Sequence, residues 1–142
     1  MRLTHHTDFS LRVLIFLALQ QDNKLVTTDE VAKHFSILKN HLTKVVHKLG
    51  KHGYIKAIRG KNGGICLARE ASSINLGEVV QVMENNLEVV DCQKPVCPLV
   101  HYCELKNILN ESQNAFYSVL EQYTLADISR QSNQIRAILQ LN

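Results

Sequence analysis

A mainly α-helical chain with one small β-hairpin is predicted by three observations. Apolar residues recur at helical spacing through most of the 142 residues, and a single glycine-bearing turn separates two short β-prone runs. An apolar content of 45% can bury one core at this length without disulfide or metal staples. No window holds eighteen uninterrupted apolar residues, and the polar start "MRLTHHTD" lacks the apolar stretch of an export signal. A cytoplasmic protein with no membrane partner is expected. Its four cysteines, Cys66, Cys92, Cys97 and Cys103, are then expected to stay reduced and available as ligands.

The elements follow in order. The run "DFSLRVLIFLALQQ", from Asp8 to Gln21, is apolar almost all round and predicts a helix buried on most sides. In "TTDEVAKHF", Thr27 and Glu30 have the spacing of a capping box, and Val31, Ala32 and Phe35 share one face of a short second helix. After the turn "SIL", the segment "KNHLTKVVHKLGKHG" places Leu42, Val45, Val46 and Leu49 at i, i+3, i+4 and i+7. Lys39, Asn40, His41, Lys44, His47 and Lys48 fall elsewhere around this third helix. Leu38 stands where a polar N-cap is usual, so the helix start is not fixed by a capping residue. Gly53 ends it, and "YIKAIRGKNGGICLA" reads as two strands around a cationic glycine turn.

Charge divides the chain unevenly. Residues 1–71 hold twelve Lys/Arg against five Asp/Glu, a net +7, whereas residues 72–142 hold four against eight, a net −4. The basic half also carries six of the seven histidines. A basic half of this kind suits a polyanion. Two short helices joined by about four residues, the second with cationic and amide side chains outside, form a helix-turn-helix, and a hairpin directly after it is a wing. The predicted DNA-contacting set is Thr28 on the first of these helices, Lys39, Asn40, His41 and Lys44 on the second, and Arg59, Gly60, Lys61, Asn62 and Gly63 in the wing. Asn and Lys suit adenine and guanine edges, and the glycine turn lets a cationic tip approach the sugar-phosphate backbone.

The acidic half has a different chemistry. "INLGEVVQVME" predicts a connecting helix within 72–91, and "DCQKPVCPLVHYC" then spaces its cysteines as C-x4-C-x5-C in a segment broken by Pro95 and Pro98. Soft thiolates favour zinc or iron-sulfur clusters. The absence of C-x2-C pairs, and His101 lying so near Cys103, argue against structural zinc. Three inert buried cysteines are the structural alternative. Cys66, between Ile65 and Leu67, reads as a small apolar filler of the wing. Beyond Cys103, "ELKNILNESQNAFYSVLEQY" repeats apolar residues at Leu105, Ile108, Leu109, Phe116, Val119, Leu120 and Tyr123, predicting a long amphipathic helix. The tail 130–142 has only a weak apolar pattern and no assignable function.

The combination "L…KL…HGYIKAIRGKNGGICLA" with "INLGEVVQVME" resembles the IscR-type winged-helix regulators that carry an iron-sulfur cluster. Within that superfamily, "LTHHTDFSLRVLIFLA", "RGKNGGI", "YTLADI" and the cysteine spacing are most similar to the nitric oxide-sensing, NsrR-like repressors. The resemblance spans residues 1 to about 129. It implies a winged helix-turn-helix domain over 1–71, a connecting helix over 72–91 and a cluster-binding loop over 92–103. It also implies a helix and following turn over 104–129 that dimerise the protein, so that a homodimer reads an inverted-repeat operator in double-stranded DNA.

The same resemblance implies a metal site of Cys92, Cys97 and Cys103. IscR-like members place a ligating histidine three residues after the third cysteine, but here that position is Lys106. In NsrR-like proteins an aspartate at the start of the first helix reaches the cluster of the other subunit, and Asp8 matches it. An ordinary helix N-cap is the alternative role for Asp8. The expected cofactor is an iron-sulfur cluster, 4Fe-4S favoured over 2Fe-2S, and the expected signal is nitric oxide. A zinc-stabilised regulator, or one sensing cluster supply or redox status, is the alternative function. An enzyme is not expected, because no nucleophile stands with an activating base.

Overall fold

The computed structural model describes residues 2–85, 87–130 and 132–141. Helix α1 spans His5–Ala18, α2 Thr28–Phe35 and α3 Lys39–Lys51. Strands β1 (Ile55–Ile58) and β2 (Gly64–Leu67) follow, then α4 (Leu76–Met83), α5 (Glu104–Leu120), α6 (Leu125–Ile128) and α7 (Ser132–Ile138). The predicted class, mainly α with one hairpin, is the one observed.

Helix α1 starts three residues earlier than the sequence pattern indicates. Thr4 is its N-cap, and the Thr4 hydroxyl accepts from the Thr7 N–H at 3.3 Å. Asp8 therefore lies inside the helix, and its reading as an N-cap is overturned. Val13, Leu14, Phe16 and Leu17 are buried, together with Thr7 and Ser10. Those two polar side chains satisfy themselves locally: Ser10 donates to the His6 carbonyl at 2.7 Å, and the Thr4 and Thr7 hydroxyls stand 3.0 Å apart.

Helix α2 carries the predicted capping box, with the Thr27 hydroxyl accepting from the Glu30 N–H and the Glu30 carboxylate accepting from the Thr27 N–H. Hydrogen bonding from the Thr27 backbone holds the Glu30 carboxyl below its ordinary range. The box is thus fully formed above the ordinary carboxylate pKa and is lost as pH falls through the lowered folded value. Ser36 takes a left-handed conformation, φ 53°, to end α2 and turn the chain into α3. Lys39 opens α3 without a side-chain cap, and Leu42, Val45 and Leu49 are its buried stripe.

The wing is antiparallel in the register Ile55↔Leu67, Lys56↔Cys66, Ala57↔Ile65 and Ile58↔Gly64. Val26 extends this small sheet by exchanging both backbone hydrogen bonds with Ile65, at 3.1 and 2.8 Å, and so fastens the hairpin to the segment before α2. Cys66 is buried in β2.

The core of the basic half is closed by residues far along the chain. Ile74, Val79, Met83 and Leu125 are fully buried in the same cluster as Leu14, Phe16, Leu42 and Leu49. The Leu125 N–H donates to the Ile74 carbonyl at 2.8 Å, and the Leu76 N–H donates to the Tyr123 carbonyl at 3.0 Å. The tail also contributes: Arg136 donates to the Leu19 carbonyl, and Leu139 and Leu141 pack against the core. Helix α5 behaves differently, because none of its seventeen residues is buried. Leu109, Phe116 and Leu120 are half-buried, whereas Leu105, Ile108 and Val119 are 63%, 56% and 55% exposed.

Candidate nucleic-acid interface and thiol loop

Helical spacing places Asn40, Lys44, His47 and Lys51 along the outward face of α3, and all four are exposed. His47 and Lys51 thus share the face of Asn40 and Lys44, a placement that continuing the i, i+4, i+7, i+11 series from Asn40 would have found. Two predicted members of the set have other engagements. Lys39 pairs with Asp29 at 2.9 Å, with both side chains more than half exposed, and His41 stacks on Phe9 with ring centroids 6.3 Å apart. His41 thus leans towards α1. Thr28 is half-buried in the first turn of α2.

The wing tip is exposed at Arg59, Gly60, Lys61 and Asn62. Gly60 has φ +113°, a conformation that side chains oppose. A Cβ on Gly63 would stand 2.1 Å from the Ile58 carbonyl oxygen. The tight turn therefore requires glycine at both positions, and it leaves the two flanking cations, Arg59 and Lys61, outside.

The three clustered thiols stand on one segment after α4, all unoxidised. The Cys97 N–H donates to the Cys92 carbonyl at 3.0 Å, the Val100 N–H donates to the Cys97 carbonyl at 3.1 Å, and Asp91 Oδ1 accepts from the N–H groups of Gln93 and Lys94. Cys92 is buried, Cys97 and Cys103 half-buried. Cys103 is the N-cap of α5 and makes no side-chain cap bond. His101 is exposed, and Lys106 is half-buried on α5.

Within the single chain, no three His, Cys, Asp or Glu side chains among the described residues converge on one metal-holding point. Asp8 does not join the cysteines; its carboxylate takes a two-pronged bond from Arg12, at 3.0 and 2.8 Å. The loop has little core of its own, since Val96, Leu99 and Tyr102 are exposed, and turn hydrogen bonds alone do not draw thiols together. The donor set nevertheless fits a soft-metal group: three free thiols on one short loop, one at a helix N-terminus.

The end of α4, from which the chain runs on to the thiols, is tied to α1 and to α3. Glu84 Oε1 accepts from the Thr4 N–H at 2.9 Å and from its hydroxyl at 3.3 Å, which holds the start of α1. Lys48 Nζ, on α3, donates to the Met83 carbonyl at 3.0 Å and to Asn85 Oδ1 at 3.3 Å. A cation at the end of α4 also answers the negative end of that helix.

A helix-turn-helix with a glycine-tipped wing, followed by a thiol loop and a largely uncovered helix, defines the class of winged-helix transcriptional regulators. The sequence profile of the Rrf2 family, described as an iron-dependent transcriptional regulator, matches residues 3–131. The chain belongs to the Rrf2 family. It is 49% identical to the HTH-type transcriptional regulator NsrR of Shouchella clausii over 143 residues, covering 99% of this chain and 96% of that one. It is 42% identical to the NsrR of Bacillus subtilis, covering 99% of each.

Among solved structures, that of T. potens IscR matches with a TM-score of 0.76 at 21% identity, covering 96% of this chain and 91% of that one. CymR, the global cysteine regulator of B. subtilis, matches with a TM-score of 0.71 at 22% identity, covering 92% and 97%. These two show the fold. The family is one of regulators, not enzymes, and no helix among the described residues is long and apolar enough to cross a membrane.

Proposed function

We propose that the chain is a homodimeric cytoplasmic repressor that holds an iron-sulfur cluster through Cys92, Cys97 and Cys103 and leaves its operator when nitric oxide attacks that cluster. The observation that carries this reading is the position of the three free thiols, on the segment that follows α4, whose end is bonded to both α1 and α3. The similarity to NsrR proteins along nearly the full chain supports it. A 4Fe-4S cluster is favoured over 2Fe-2S, since three cysteines and one weaker ligand leave a single attackable iron. When bound, such a cluster supplies iron with affinity for nitric oxide.

The chain's own residues do the rest. Asp8 of the partner subunit is the proposed fourth ligand, and its carboxylate is a harder and weaker donor to such iron than a thiolate. Because Asp8 is already bonded to Arg12, ligation competes with that pair, worth only about 0.3–0.5 kcal/mol at this half-exposed i, i+4 site. Leu105, Ile108 and Val119 supply the apolar face that a second copy covers. In the dimer, two α3 helices enter successive major grooves of an inverted repeat, about one turn apart. Movement of the thiol loop then biases the spacing of the reading heads through the 83–85 contacts, a two-state coupling.

The deciding experiment is the visible spectrum of anaerobically purified protein, followed by operator titration with and without nitric oxide. A coloured protein that loses operator affinity on nitric oxide treatment is expected. A colourless, zinc-containing protein would favour the zinc-stabilised alternative, and a coloured protein insensitive to nitric oxide would favour a cluster-supply or redox signal.

On the DNA side, Lys61→Ala is expected to weaken all sequences alike and to make the salt dependence shallower by about one phosphate equivalent. Asn40→Ala is expected to relax discrimination among operators by about 1–3 kcal/mol. Equal losses on specific and random DNA for Asn40→Ala would rule out base reading there.

A further inference from the structure

Helix α3 has two flanks. One faces the wing, where Thr43, Val46, Gly50 and Ala57 share a groove with β1, and His47 and Lys51, on the crest of the helix, border this groove as well as the one on the other flank. The other faces the start of α1 and the end of α4. There Lys44, Lys48 and Lys51, with His6, His47 and His52, line an open pocket of about 380 Å³ that Asn85 completes. No carboxylate lines it. Glu84 is nearby but is engaged by Thr4.

Lys44 and Lys51 form no salt bridge among the described residues. The ammonium of Lys48 is oriented into place by two neutral acceptors, the Met83 carbonyl and Asn85 Oδ1, and it forms no salt bridge among the described residues. His6 Nε2 is enclosed and has no hydrogen-bond partner among the described residues. Concentrated positive charge in a polar recess suits a phosphate-class oxyanion and not an apolar ligand. Lys44, His47 and Lys51 also lie on the outward face that carries Asn40. An anion in the recess therefore borders the surface where α3 would meet the groove.

We propose that this pocket seats a backbone phosphate of the operator, on the strand that runs along the flank of α3 opposite the wing. Lys51 and Lys44 are the charged contacts, and Lys48, fixed on the end of α4, completes the cradle. The wing and this pocket would grip the two strands bordering one major groove, which sets the roll of α3 about its own axis. The inference rests on the DNA-binding reading above and adds to it a phosphate seat built by Lys48 and Lys51 of α3 together with the start of α1 and the end of α4.

The test uses the full-length, anaerobically purified protein with Lys51→Ala and Lys51→Arg, since Lys51 is exposed at the end of α3 and its truncation leaves the core intact. The slope of log K against log salt should fall by about 0.9 for Lys51→Ala on operator and random DNA alike, and Lys51→Arg should restore it. Between 50 and 200 mM salt that is an affinity loss about threefold smaller than in the parent protein. In operators with a single neutral methylphosphonate linkage, one position that weakens the parent protein should no longer weaken Lys51→Ala.

An unchanged slope with additive linkage effects at every position, while Lys61→Ala still makes the slope shallower, overturns the phosphate seat and leaves the DNA-binding reading standing. If Lys61→Ala is silent as well, the DNA reading itself has failed. Inorganic phosphate that binds DNA-free protein in a Lys51-dependent manner, with the operator slope unchanged, would make the pocket a free-anion site and also overturn the proposal.

Discussion

Cys97→Ala and Cys103→Ala are each expected to abolish the visible absorption of anaerobically purified protein and to lower operator affinity by about tenfold or more, equivalent to about 1.4 kcal/mol. Removing one of three thiols leaves a donor set too small to retain the cofactor. The fold should tolerate both changes, because Cys97 and Cys103 are half-buried on a loop that contributes nothing to the main core. Apo-protein melting temperatures should consequently match the parent's. Cys66→Ala is the control: buried in β2, it should cost some stability and leave the spectrum intact. Asp8→Ala should fall between, with a retained but altered spectrum and a changed rate of reaction with nitric oxide. If Cys97→Ala and Cys103→Ala keep the parent spectrum and affinity, the thiol loop is not the sensor.

Leu125→Ala is expected to destabilise the protein by about 2–5 kcal/mol, although Leu125 lies more than fifty residues beyond the wing. Its side chain is fully buried against the core shared by α1, α3 and α4, and its N–H is bonded to the Ile74 carbonyl. Truncation to a methyl group opens a cavity at the place where the returning chain closes that core. Chemical denaturation of metal-free protein measures the loss. Leu105→Ala, on the exposed face of α5, is the contrast: its effect on denaturation of the separated chain should stay within about 0.5 kcal/mol, while dimer dissociation at low concentration increases. A Leu125→Ala protein as stable as the parent would mean that residues 1–83 complete their core alone.

Short-range features were legible because their causes lie within a turn or two of helix. Thr27 and Glu30 form a capping box wherever that spacing precedes an apolar face, and Leu42, Val45 and Leu49 can bury only as one stripe. The wing followed from its glycines, since few other residues fit the backbone at Gly60 and Gly63. The thiols of Cys92, Cys97 and Cys103 were equally visible as soft donors on one loop, and the family resemblance rested on the wing and the connecting helix, narrowed by the cysteine spacing.

Tertiary structure decided what two distant segments do to each other. Thr4 and Asp8 both suit an N-cap; Thr4 takes that place, and Glu84, eighty residues away, holds it there. The apolar residues of α5 look like one stripe in sequence, yet Leu109, Phe116 and Leu120 are half-buried while Leu105, Ile108 and Val119 remain outside. The tail had only a weak apolar pattern in sequence, and the structure bonds its Arg136 to the Leu19 carbonyl. The cationic recess needs His6 from α1, Lys48 from α3 and Asn85 beyond α4, three residues with no common periodicity. Local propensity and capping act through neighbours in the chain, whereas these contacts depend on the path by which the chain returns, and that path is set by burial of the shared core.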